Sequence, residues 1–71
     1  MNDAGLKNAK DYLAKIWARS DRGPETRAAV WIAIGHICSL RPELSEQVVE
    51  LAKDDKITRA VNLVMKAGEV A

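Results

Sequence analysis

The side chains with the widest chemical range in this sequence are His36 and Cys38, each the sole residue of its type. A Cys–His pair can form a nucleophile and its base, or half of a zinc site. Two residues apart on a helix, however, they point about 200° away from each other. They share no face, and one Cys with one His cannot complete a tetrahedral metal shell. A packed thiol and a solvated or satisfied imidazole are expected. Glu43, Glu46 and Glu50 recur at helical spacing and form an acidic ridge. A hard cation wants six or more fixed oxygens, so a solvated face or a partner contact is expected there. Lys7, Lys15, Arg19 and Arg22 could meet phosphate or an acidic partner, but Asp11 and Asp21 dilute that patch. No Gly-rich phosphate loop, triad or paired-carboxylate site can be assembled. The sequence implies no enzyme, no cofactor and no metal.

Further along, Thr58, Arg59, Asn62 and Lys66 are of the types that read base edges and phosphates. Two helices around a short break at Asp54 and Asp55 can be read as a helix-turn-helix, the basis of a dimeric DNA-binding regulator. A recognition helix puts its N-terminal residues in the groove. Here Asp54 and Asp55 stand at that end, with Glu50 nearby, and would oppose phosphate charge. The large apolar residues Trp17, Trp31, Leu63 and Met65 point to a different use. A partly exposed Trp makes a good anchor at a protein interface. The first function expected is a small protein–protein interaction module: an adaptor, subunit or inhibitor of a larger assembly, of a size met among phage and mobile-element products. It would bind another protein or itself through an apolar helix surface.

These residues must be positioned by a chain of only 71 residues. That is one domain, residues 1–71, and a lone copy buries a modest core. Cys38 cannot close an intrachain disulfide, so association is the remaining route to extra stability. A single Cys suits a reducing interior. The longest apolar run, 28–35, is far too short to span a membrane. A cytoplasmic protein is expected. Net charge is +1, but it is unevenly spread. Residues 1–27 carry +2, 28–40 carry no charge, 41–55 carry −3 and 56–71 carry +2. Such a balance is unlike a generic nucleic-acid binder.

The periodicity predicts an all-α fold, a compact four-helix domain. Leu6, Ala9, Leu13, Ile16 and Trp17 mark the inner stripe of a helix over 4–19, with Asp3 as its N-cap. Ser20 to Gly23 end it, and Pro24 opens the second helix. From 28 to 38 nearly every residue of that helix is apolar or small, which predicts a central helix buried on all sides. Ala28, Ala29, Ala33 and Gly35 would let neighbours come close. A third helix is expected over 42–53, with Leu44, Val48, Leu51 and Ala52 inward. Asp54 and Asp55 would cap a fourth over 56–67, with Ile57, Ala60, Val61 and Val64 inward. Leu63 and Met65 widen that stripe, and Gly68 is its stop.

One stretch also carries a family resemblance. Asp21, Pro24, Arg27, the pair Ala28 and Ala29, Gly35 and Ile37 fall in register with the first helix of a HEAT-like repeat. In that family an acidic turn with Pro precedes an Arg and an Ala-rich helix. Residues 21–53 resemble one unit, and 54–70 resemble a degenerate second one. Thr26 stands where the family favours Val, and the second Gly is displaced by one residue. The resemblance implies antiparallel helix pairs and a protein-binding scaffold.

Overall fold

The computed structural model describes residues 3–68. They form four α-helices and one 3-10 turn: α1 (Asp3–Trp17), α2 (Pro24–Leu40), the 3-10 turn (Pro42–Leu44), α3 (Ser45–Lys53) and α4 (Ile57–Met65). No strand occurs among the described residues. Glu69 and Val70, the end of the segment expected to resemble a second HEAT-like unit, lie outside the described residues, as does the side chain of Asp3.

The core follows the expected stripes on α1 and α4. Leu6, Ala9, Leu13 and Ile16 are buried from α1, and Ile57, Ala60, Val61 and Val64 from α4. Helix α2 is the shared element, packing on both α1 and α4, while α3 packs on α4. From α3 only Val48 is fully buried; Leu44 and Leu51 pack at the edge of the core, and Ala52 is exposed.

Helix α1 stops two residues short of the expected end because Arg22 closes it. The Arg22 guanidinium donates to the carbonyls of Trp17 and Arg19. It thereby satisfies acceptors that a helix end leaves open. It also lies over the Trp17 ring, 3.6 Å from its centroid. The linker is then set by the Asp21 carboxylate, which accepts the Gly23 N–H at 2.9 Å in an Asx turn. Pro24 takes the first helical turn of α2 as expected.

Helix α2 departs from the sequence reading. It is not buried on all sides. Thr26, Val30, Ala33, Ile34 and Ile37 form one buried face, while Ala28, Ile32, Gly35, His36 and Ser39 are exposed. A Cβ added at Gly35 would meet nothing within 4 Å, so no helix approaches there. Helices α1 and α4 and the 3-10 turn pack on α2, while α3 packs on α4, so the remaining side of α2 has no helix to cover it and stays in water.

Pro42 does not open α3 directly. Arg41, kept out of the helical region by the following proline, leads into a 3-10 turn closed by the Leu44 N–H to the Arg41 carbonyl. Nor do Asp54 and Asp55 cap α4; its N-cap is Lys56, without a side-chain bond. They end α3 instead. The Asp55 N–H donates to Ala52 and the Lys56 N–H to Leu51, at 3.0 and 2.9 Å. Those two bonds make a Schellman stop, with Asp55 at φ 52 in the position glycine usually takes. The Asp55 carboxylate pairs with Arg27 of α2 and ties this turn to the central helix. At the far end of α4, Lys10 donates to the Ala67 carbonyl at 2.7 Å. Gly68, at φ +81, lies so close to Leu6 that a Cβ would sit 2.7 Å from its Cδ2.

Candidate functional site

The reactive side chains do not assemble into a catalytic group. His36 is exposed on α2, and Cys38 is half-buried on another face of it. Burial pushes the Cys38 thiol up from its ordinary pKa, and a hydrogen bond with Ser45 opposes that shift more weakly. The thiol therefore keeps its proton at neutral pH, whereas the thiolate is the nucleophilic form. Among the described residues, no group of three or more His, Cys, Asp or Glu side chains could hold a metal ion. No helix of the described residues is long and apolar enough to cross a membrane. In the N-terminal basic set, Lys7 pairs with Asp11 at 3.1 Å and Arg22 is committed to Trp17. Lys15 and Arg19 are exposed.

The four apolar anchor residues are each half-buried and packed against the core. Trp17 has one ring face under Arg22. Leu63 and Met65, two apart on α4, lie on opposite flanks of its buried stripe. They do not form one patch. The large apolar side chains in water are instead Tyr12, Val49 and, most of all, Ile32 at 74% exposure. Ile32 is two residues from both Val30 and Ile34, which are fully buried, so it must point away from the core. That spacing was available in the sequence. It becomes informative only when one face of α2 is known to be the buried one.

Around Ile32 the outward surface of α2 consists of Ala28, Gly35, His36 and Ser39, with half-buried Trp31 on its flank. Residues 28–40 contain no Asp, Glu, Lys or Arg. A helix lying on a protein surface ordinarily puts charges along its outer face; this one does so only at Glu25 in its first turn, and from Ala28 to Leu40 the outer face carries none.

A second feature is an open groove of ≈ 820 Å³ between α3 and α4. Helix α3 contributes Glu46, Glu50 and Leu51, and α4 contributes Arg59, Asn62, Leu63 and Lys66. Of the four residues considered for DNA contact, Arg59, Asn62 and Lys66 thus come together, while Thr58 is exposed beside them. Glu46 and Glu50 share their groove. Glu43 sits on the 3-10 turn, so the three glutamates do not form one continuous helical ridge.

No family model, curated protein or solved structure matches this chain.

Proposed function

We propose that this chain is a small non-enzymatic interaction module that binds another protein through the outward face of α2. The supporting observation is the uncharged strip of Ala28, Ile32 and Gly35 beside Trp31, with Ile32 largely in water. Apolar side chains scattered singly on a surface are ordinary, but a contiguous uncharged helix face is the pattern of a partner site. Ile32 would enter a pocket on the partner. Small residues on either side along the helix allow the partner backbone close, and Trp31 supplies the large contact area typical of an energetic centre. Of the four anchors considered from sequence, Trp31 is the one that borders this strip.

The experiment is affinity capture from lysate of cells that make the protein, with and without nuclease, using the native chain and Ile32→Glu. A stoichiometric protein that survives nuclease with the native chain and is lost with Ile32→Glu is the expected result. Equal recovery by both chains would remove α2 from the account. A dimeric DNA-binding regulator built on α3 and α4 is the second reading. It is favoured by Arg59, Asn62 and Lys66 lining one groove. It is opposed by Glu46 and Glu50 in that same groove, because a polyanion would meet both. Recovery of nucleic acid, with protein companions lost after nuclease, would favour it.

A further inference from the structure

The α3–α4 groove has a charge layout that selects its own occupant. Its α3 wall carries Glu46 and Glu50, and its α4 wall carries Arg59 and Lys66. All four are exposed. The opposed walls do not neutralise each other: among the described residues, Glu50 pairs only with Lys53, on its own helix, and Arg59, Lys66 and Glu46 form no ion pair. Leu51 and Leu63, both half-buried, supply the apolar part of the lining. The groove is therefore electrically neutral but split lengthwise, acidic on one side and basic on the other.

We infer that this groove seats a second copy of the chain, in a two-fold dimer whose axis runs along the groove. The geometry is simple. Two identical faces can be brought together about a two-fold axis lying in the contact plane. An axis across the groove sets acidic wall on acidic wall and basic on basic. An axis along the groove sets each acidic wall over the other copy's basic wall, so that Glu46 and Glu50 face Arg59 and Lys66 in both directions. Leu51 and Leu63 of the two copies then line the space enclosed between the two charged seams. Like charges placed together are disfavoured strongly enough to fix such a register. A uniformly acidic or basic ligand would be repelled by one of the two walls.

The contact is small. Two nine-residue helices, about 14 Å long and each about 10 Å wide, offer roughly 280 Å² of facing surface. A standard stable interface takes about 800 Å² from each partner. The dimer is accordingly weak and concentration-dependent. It does not involve the outward face of α2, and its failure would leave that reading standing.

Sedimentation equilibrium over about 10 µM to 1 mM, the range suited to so small a contact, tests it. Three samples are compared: the native chain, E46K/E50K and R59E/K66E. The first variant makes both walls basic and the second makes both acidic, and circular dichroism checks that each stays helical. The native chain should self-associate, and less so at high salt. Each variant alone should lose self-association across the whole range. The equimolar mixture of the two variants should form a heterodimer with at least tenfold tighter association than the native dimer. A native chain that is monomeric throughout would overturn the proposal. So would self-association indifferent to both variants, or a mixture that stays monomeric. Duplex DNA binding by a monomeric native chain, lost in R59E/K66E, would overturn it in favour of nucleic acid.

Discussion

Ile32 and Ile34 are two residues apart in the same uncharged stretch, yet their substitution should have opposite consequences. Ile34 is wholly buried. Replacing it with Ala removes apolar contacts and leaves a cavity, at a cost of about 2–5 kcal/mol. A chain of 71 residues has a total stability of roughly 4–10 kcal/mol, so Ile34→Ala takes away about a fifth of it or more. Ile32 is 74% exposed. Full burial of such a side chain is worth about 1.5–3 kcal/mol, and only about a quarter of that is at stake. Glu is also the better helix former by a few tenths of a kcal/mol. Ile32→Glu should therefore alter stability by no more than about 0.5 kcal/mol. In urea, with a slope of about 1 kcal/mol per molar for a small domain, Ile34→Ala should lower the midpoint by about 2 M or more. Ile32→Glu should move it by less than about 0.5 M on the same slope. Unfolding followed by circular dichroism measures both. If Ile32→Glu lowered the midpoint as far as Ile34→Ala, the outward face of α2 would be core, and the interaction surface built on it would not exist.

Two further outcomes follow from local chemistry. Asp55, at φ 52, should rank Gly at least equal to Asp and both above Ala in thermal stability. Ala there loses the Arg27 pair and keeps the left-handed strain, at about 1 kcal/mol; a stability order with Ala first would refute the Schellman stop. For Cys38, burial raises the thiol pKa above its ordinary 9.0, so the folded chain holds that proton more tightly than the unfolded one. Its contribution to stability is complete below the unfolded pKa and is lost as pH rises through the folded one. Alkylation by iodoacetamide at pH 8 should accordingly be slower in the folded chain than in urea; equal rates would contradict the burial.

What could be read without coordinates depended on contrast between neighbours. In α1 and α4 the apolar stripe is bordered by Lys, Asp, Arg and Asn, and the inner face was legible residue by residue. Pro24 marked the start of α2 because a proline suits only the first turn. The run 28–38 offers a single polar marker, His36, too little contrast to assign the buried face or the emptiness around Gly35. The turn at Asp54 and Asp55 looked like an N-cap because acids favour that place. The structure uses Asp55 instead as a left-handed stop for α3 and a partner for Arg27. The same limit applies to function. Arg59, Asn62 and Lys66 were visible as one helix surface, but Glu46 and Glu50 became their neighbours only through the packing of α3 on α4.

The most direct measurement is photo-crosslinking from position 32 of the otherwise native chain, in lysate of cells that make the protein, with position 7 of α1 as the control. A single protein adduct of defined mass from position 32, absent from position 7, is the expected result. No adduct at 32, or adducts of the same pattern from both positions, would contradict a partner surface on α2.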